Sequence, residues 1–201
     1  MGDVKKVVVA TKNEHKVVEI MQIIDVEGYE FVTLSSLGDF PSPVEDGDTF
    51  LENARIKALA AHEETGLAAM ADDSGIVVDA LGGMPGIYSA RYASLDGGDA
   101  DDSSNNAKLL REMEGVENRT ARFACAIAFI DEDGRELSAL GFVEGKIDDH
   151  EHGAGGFGYD PLFLPDEYGG KLSMAELSPE QKNAISHRGN ALRALRTQLV
   201  G

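Results

Sequence analysis

The sequence predicts a mixed α/β protein, and two observations carry that prediction. Through the first half, β-branched runs alternate with stretches whose apolar residues recur at helical spacing. Beyond residue 120 a strictly alternating pattern (Phe123, Cys125, Ile127, Phe129) turns at Asp133–Gly134 and returns over Leu137–Ile147, which reads as a long hairpin. Alternation followed by a hairpin points to a mixed sheet with helices against it. A chain of 201 residues is long enough to bury a core as one large domain or two closely joined lobes. No low-complexity linker divides it, so residues 1–201 are read as a single domain.

Taken in order, Lys6–Ala10 is a first buried strand, followed by a polar stretch, Thr11–Lys16, and a helix on which Val17, Ile20, Met21 and Ile24 recur. A second strand is expected over Glu30–Leu34, then a Pro- and acid-rich loop, Pro41–Asp48. Thr49 and Glu52 have capping-box spacing, so a helix should start at Phe50 and end at Gly66. It carries Asn53 and Lys57 on one face, four residues apart. Two apolar runs, Leu67–Met70 and Ile76–Val78, give a buried central strand pattern that Asp72 and Asp73 interrupt, and the glycines and proline of Leu81–Gly86 demand a tight irregular loop. Ser103–Met113 reads as a helix after an acidic loop. Ser178 and Gln181 form a second capping box with Pro179 at the first helical position. Ser186–Gly189 interrupts that helix, and the last one has Leu192, Leu195 and Leu199 as its core stripe.

Acidic residues outnumber basic ones 36 to 18, a formal net charge of −18 that would repel nucleic acid phosphates. The few cations that fall in motif-like segments therefore stand out, and a locally positive site on an acidic body suits a small polyanion. No apolar run approaches the roughly 20 residues of a membrane span, and Val7–Ala10 is too short for a signal-peptide core, so a cytoplasmic protein is expected. The single cysteine, Cys125, excludes an internal disulfide and reads as a small buried hydrophobe. The five histidines are scattered without zinc-ligand spacing, so no structural zinc is expected.

The stretch Ala71-Asp72-Asp73-Ser74-Gly75 sets two adjacent carboxylates inside the central apolar run. A buried carboxylate without a partner costs several kcal/mol or neutralises itself, so a cation or bound water is expected beside them. Taken alone, the pentapeptide also reads as a turn. Thr11–Lys16 lies between a strand and a helix, where free backbone N–H groups and the positive dipole end favour phosphate, though the glycines of a P-loop are missing. Gly153–Gly158 matches GxGxxG, but Pro161 falls where a dinucleotide-binding helix would run. Gly156–Pro161 reads instead as a glycine-flanked loop that exposes an aromatic face suited to stacking on a base.

Six segments occur in one order: Thr11–Lys16, Asp48–Lys57 (DTFLENARIK), Ala71–Gly75 (ADDSG), Gly82–Tyr92 (GGMPGIYSARY), Gly155–Pro161 (GGFGYDP) and Ser178–Arg188 (SPEQKNAISHR). Together they resemble the inosine triphosphate pyrophosphatase family, the XTP/dITP diphosphatases, from residue 4 to about 199. The resemblance implies a long twisted mixed β-sheet flanked by helices, in two lobes with a central cleft, and a homodimer. It implies Mg²⁺-dependent hydrolysis of 6-oxo purine nucleoside triphosphates (ITP, dITP, XTP) to the monophosphate and pyrophosphate.

It also implies roles for residues. Asp73 matches the proton acceptor, and Glu45 with Asp73 the metal ligands, although Asp46 and Asp48 stand close enough in sequence to serve in place of Glu45. Thr11, Lys12, Asn13, Glu14, His15, Lys16, Lys57 and Ser74 match substrate-binding positions. Phe157, Gly158, Tyr159, Asp160, Lys182, His187 and Arg188 match base- and nucleotide-binding ones. The acidic stretch around Asp99–Asn106 has no counterpart in the family pattern. A pyrimidine-preferring pyrophosphatase of the Maf type and a nucleotide sensor without catalysis are the competing readings.

Overall fold

The computed structural model describes residues 4–200, so the domain read over 1–201 extends slightly past the described chain at both ends. Its elements run β1 (Lys5–Val9), α1 (Glu14–Ile23), β2 (Tyr29–Thr33), the single turn α2 (Leu34–Leu37), α3 (Phe50–Thr65), β3 (Ala68–Val78), α4 (Asp102–Glu112), β4 (Thr120–Ile130), β5 (Glu136–Ile147), β6 (Phe163–Pro165), α5 (Pro179–Ile185) and α6 (His187–Val200). The strands form one sheet in the order β2-β1-β3-β4-β5-β6. β1 pairs in parallel with β2 and β3, whereas β6 runs antiparallel to β5, so the sheet is mixed as expected. Residues 131–135 close the β4–β5 turn through Gly134 N–H to Asp131 O (3.1 Å) and Asp131 N–H to Arg135 O (3.0 Å).

The local signals acted as their chemistry dictates. Thr49 caps α3 reciprocally with Glu52, and Gly66, at φ +68°, ends it in the left-handed conformation that a side chain disfavours. Ser178 and Gln181 cap α5 in the same way. Ser186 separates α5 from α6, and Leu192 and Leu195 are fully buried. The turn reading of Ala71–Gly75 is overturned, because β3 passes through both aspartates without a break. Flanking residues Ala68–Ala71 and Ile76–Val78 supply enough buried apolar surface to carry the polar pair into the sheet. On α1 the core position is Ile20; Met21 is exposed, since the helix turns it away from the sheet.

The chain forms two compact units. The first comprises the chain up to Asp73, Cys125–Gly141 and the chain from Arg188 on; the second comprises Ser74–Ala124 and Phe142–His187. In the first, one sheet face (Val7, Val9, Ala68, Met70, Cys125, Ile127) meets Ile20, Ala191, Leu192 and Leu195 of α1 and α6. Its other face (Val8, Ala10, Ala69, Ala71, Ala128) meets Ala54, Ala58 and Ala61 of α3, whose small side chains let helix and sheet approach closely. The second unit centres on Ile76, Val78, Leu109, Met113, Phe123, Val143, Leu162 and Phe163. Among the described residues no helix is long and apolar enough to cross a membrane.

Candidate active site

In the first unit the two-residue period of β3 sorts its neighbouring aspartates onto opposite faces. Ala68 and Met70 face α1 and α6, so Asp72 does too; Ala69 and Ala71 face α3, and so does Asp73. Each face supplies its own cations. Asp72 is fully buried, and its Oδ2 accepts from Arg188 Nε (3.2 Å) and Nη2 (3.1 Å), with Lys16 Nζ at 3.1 Å. The Arg188 guanidinium, itself fully buried, also binds Glu19. Asp73 Oδ1 accepts from Lys57 Nζ at 3.1 Å, and Asn53 Nδ2 reaches its other oxygen at 3.4 Å. The same Lys57 ammonium lies 3.0 Å from Glu45 Oε2. The sequence expectation of a cation beside each buried acid is therefore met by side chains of α1, α3 and α6.

These environments push the two carboxyls apart. Burial alone would raise Asp72, but the Lys16 ammonium, with the charges of Arg188 and Lys57, outweighs it and holds this group well below the usual carboxylate range. At Asp73 burial wins: its carboxyl is raised above the ordinary value, against the opposing pull of Lys57 and Lys16. One acid is thus a locked anion and its neighbour a carboxylate with greater affinity for a proton, which is the division that acid–base chemistry needs. Lys57 is raised as well, because Asp73, Asp72 and Glu45 together overcome its burial, so it stays an ammonium.

The remaining residues expected in the phosphate-binding stretch surround this cluster unevenly. Asn13 caps α1 by accepting from Lys16 N–H (3.2 Å), and its own N–H donates to Thr11 Oγ1 (3.2 Å), which fixes the loop that aims Lys16. Lys12 is exposed and donates to Phe40 O (2.7 Å), while Glu14 and His15 lie exposed on the first turn of α1. Of the acids in the Pro41–Asp48 loop, Glu45 is half-buried and reaches Lys57; Asp46 and Asp48 are exposed.

Cys125 is buried with its Sγ 3.9 Å from Asp72 Oδ2. Burial, reinforced by the Asp72 charge, pushes its thiol up to about 12. The folded protein is therefore expected to resist a thiol-specific disulfide reagent at neutral pH and to react with one equivalent once denatured in guanidinium, a comparison that a colorimetric assay makes directly.

In the second unit the glycine-flanked loop is held by its own acid. Asp160 Oδ2 accepts from Phe157 N–H (2.9 Å) and from Lys182 Nζ (2.6 Å), and the Lys182 ammonium sits 4.6 Å over the Phe157 ring. Gly156, at φ +71°, lets Asp160 fold back: a Cβ there would meet Asp160 Oδ2 at 2.1 Å. This loop leads into a 3-10 turn and the short β6 rather than an α-helix, in keeping with rejection of the dinucleotide motif. Tyr159 is buried and its hydroxyl donates to Ser89 O (2.9 Å); His187 is buried with its ring stacked on Phe123 at 4.9 Å. Ser74 is half-buried, beside Gly75, where a Cβ would strike Ser89 Oγ at 2.3 Å.

The acidic stretch that had no counterpart in the motifs turns out to brace this loop. Asp101 caps α4 through Ser104 N–H (2.8 Å), Asp102 accepts from Gly158 N–H (2.6 Å), and Asn106 donates to Gly158 O (3.2 Å). A cap signal was present in Asp101 and Ser104, but nothing local announced the partners across some fifty residues. Glu19 is likewise buried on α1 by a distant partner, Arg188, that no local pattern announces.

Residues 7–198 match the Ham1 family. The chain is 51% identical over 196 residues to a dITP/XTP pyrophosphatase of Geobacter sulfurreducens, covering 96% of each. It is 52% identical over 190 residues to one of Desulforamulus reducens, covering 94% of this chain and 92% of that protein. The Ham1 protein of Staphylococcus aureus superposes with a TM-score of 0.86 at 40% identity, over 98% of this chain and 99% of that one. Six ordered motifs, a shared fold and near-complete coverage agree, and the chain belongs to the Ham1 family.

Proposed function

We propose that this protein hydrolyses 6-oxo purine nucleoside triphosphates (ITP, dITP and XTP) to the monophosphate and pyrophosphate, removing aberrant purine nucleotides from the precursor pool. The observation that carries the reading is the β3 pair, a locked anion next to a carboxylate of raised proton affinity, ringed by the ammonium groups of Lys16 and Lys57. Relatives at about half identity carry the name dITP/XTP pyrophosphatase, which supports the same chemistry here.

Attack of water on a phosphoric anhydride needs a proton acceptor and compensation for charge on the phosphate oxygens. Asp73 takes the proton: its carboxylate is held in place by Lys57 and Asn53 on the face of β3 that turns towards α3. Lys16 and Lys57, with the polar groups of Thr11 and Asn13, offset the triphosphate charge. Glu45 and Asp73 are hard oxygen donors that already converge on one ammonium, so the donor set fits Mg²⁺, and they would hold it. When bound, Mg²⁺ supplies charge neutralisation and polarisation at the phosphate oxygens.

Phe157, Asp160, Lys182 and His187 take the base end. A 6-oxo group accepts hydrogen bonds where the 6-amino group of adenine donates them, so a donor such as Lys182 favours the first and meets a second donor in ATP. A pocket built on such a bond can separate the two by about 10⁴-fold. Pyrophosphate release should be measured from ITP, XTP, ATP, UTP and dTTP, with and without Mg²⁺. Release from ITP and XTP far above ATP, dependent on Mg²⁺, is expected. Preference for UTP or dTTP would assign a pyrimidine enzyme instead, and tight nucleotide binding without pyrophosphate release would assign a sensor. The resemblance also implies a homodimer, which sedimentation at micromolar concentration would reveal.

A further inference from the structure

The loop that follows β5 gathers a carboxylate and two imidazoles that take no part in the proposed hydrolysis. Asp148, His150 and His152 each present one ligand atom, and the three atoms lie within 4.8 Å of one another. Asp148 Oδ2 and His152 Nε2 are 2.9 Å apart, and the rings of His150 and His152 have centroids only 4.0 Å apart. Ligands on a tetrahedral ion with bonds of about 2.1 Å stand roughly 3.4 Å from each other. The existing oxygen–nitrogen pair therefore has to open by only a few tenths of an ångström to bracket such an ion. The exposed His150 ring has the freedom to complete the set.

The backbone under these side chains is fixed at both ends. Asp148 N–H donates to Leu162 O (2.8 Å) and His152 N–H to Pro161 O (2.9 Å). Asp148 O accepts from the Arg119 guanidinium, and His152 O accepts from Ser173 Oγ (2.8 Å). Asp149 binds Nδ1 of His150, the carboxylate–imidazole contact that sets the tautomer of metal-binding histidines and leaves Nε2 with a lone pair. Glu151 is turned aside, accepting from Asn106 Nδ2 (2.9 Å). An exposed histidine–aspartate pair by itself contributes little to stability, so holding the fold is a weak reason for this arrangement. Its Asp-x-His-x-His spacing is none of the Cys/His spacings of structural zinc.

We propose that Asp148, His150 and His152 form a binding site for a divalent transition-metal ion of the zinc class. Two imidazole nitrogens and one carboxylate oxygen bind the ion, and water completes its coordination on the solvent side. Imidazole donors suit Zn²⁺, Ni²⁺ and Cu²⁺, whereas Mg²⁺ prefers oxygen alone. This site is thus chemically distinct from Glu45 and Asp73, and it does not depend on the proposed hydrolysis.

The test is equilibrium dialysis of the full-length, chelator-stripped protein against Zn²⁺, without nucleotide, with Co²⁺ absorption as a second readout. Saturable binding of one ion at this loop is expected, with visible bands of imidazole-bound Co²⁺. His150→Ala and His152→Ala each remove a ligand and should weaken binding by more than the roughly tenfold that loss of an outer-shell partner causes. The double variant should lose both the ion and the bands, while a Glu45→Gln/Asp73→Asn protein should keep them. His150 is exposed, so its variant is expected to melt with the parent protein, which separates loss of the site from loss of the fold. Equal Zn²⁺ affinity in the double histidine variant, or binding that disappears with Glu45 and Asp73 instead, overturns the proposal.

Discussion

Asp73→Asn should yield a protein that folds and binds nucleotide but releases pyrophosphate from ITP about 10²- to 10⁴-fold more slowly, the range that a positioned proton acceptor supplies. The substitution keeps shape and one acceptor oxygen, which can still serve Lys57, now 3.1 Å away, while its amide nitrogen replaces the oxygen that Asn53 reaches at 3.4 Å. It removes the lone pair basic enough to take a proton from water. The neighbouring acid cannot substitute for it, because Asp72 points to the other face of β3 and is held as an anion by Lys16, Arg188 and Lys57. Turnover by Asp73→Asn near that of the parent protein, with ITP saturating, removes Asp73 from the mechanism. Measuring ITP affinity and melting temperature in parallel distinguishes a lost base from a lost fold.

Asp72→Asn should act on stability first, by about 3–5 kcal/mol, since it takes away the fully buried carboxylate that balances Lys16 and shares Arg188 with Glu19. Arg188 is fully buried, and its remaining acidic partner, Glu19, then faces the guanidinium without Asp72. A loss of that size is a large part of the 5–15 kcal/mol by which domains are ordinarily stable, and urea unfolding would show it as a lower midpoint with unchanged slope. The sign of its pH dependence follows from the depressed carboxyl. Its stabilisation is fully present above the unfolded value of about 3.9 and is lost as pH falls through the lower folded value. The parent protein should therefore be the more stable at neutral pH, with the difference shrinking in strong acid. Equal unfolding midpoints at neutral pH would show that the ion pair does not anchor the strand.

Elements governed by nearby residues were legible in the sequence. Thr49 with Glu52, and Ser178 with Gln181, fixed helix starts because a capping box is complete within one turn. The β4–β5 hairpin announced itself by period-two alternation around a short turn. The aspartate pair was marked by the oddity of carboxylates within an apolar run, yet the run could not say whether the chain turned or continued there. Sheet partners on both sides of β3 decided that. Least legible were the long-range polar contacts: Arg188 with Glu19, Asp102 with Gly158, and the closeness of Asp148, His150 and His152. The motif match implied a nucleotide-binding role for Arg188 but gave no sign that its guanidinium is buried on Asp72 and Glu19, a pairing that spans most of the chain's length.

Because β3 turns consecutive side chains to opposite sides, a single peptide unit joins an immobile anchor to the group proposed to meet a water molecule. A displacement of the anchor is handed to its neighbour with almost no slack. Lesions at Glu19 or Arg188, on the side away from Asp73, are thus liable to be mistaken for defects of chemistry, and slow turnover at those positions should be read first as misalignment of a strand.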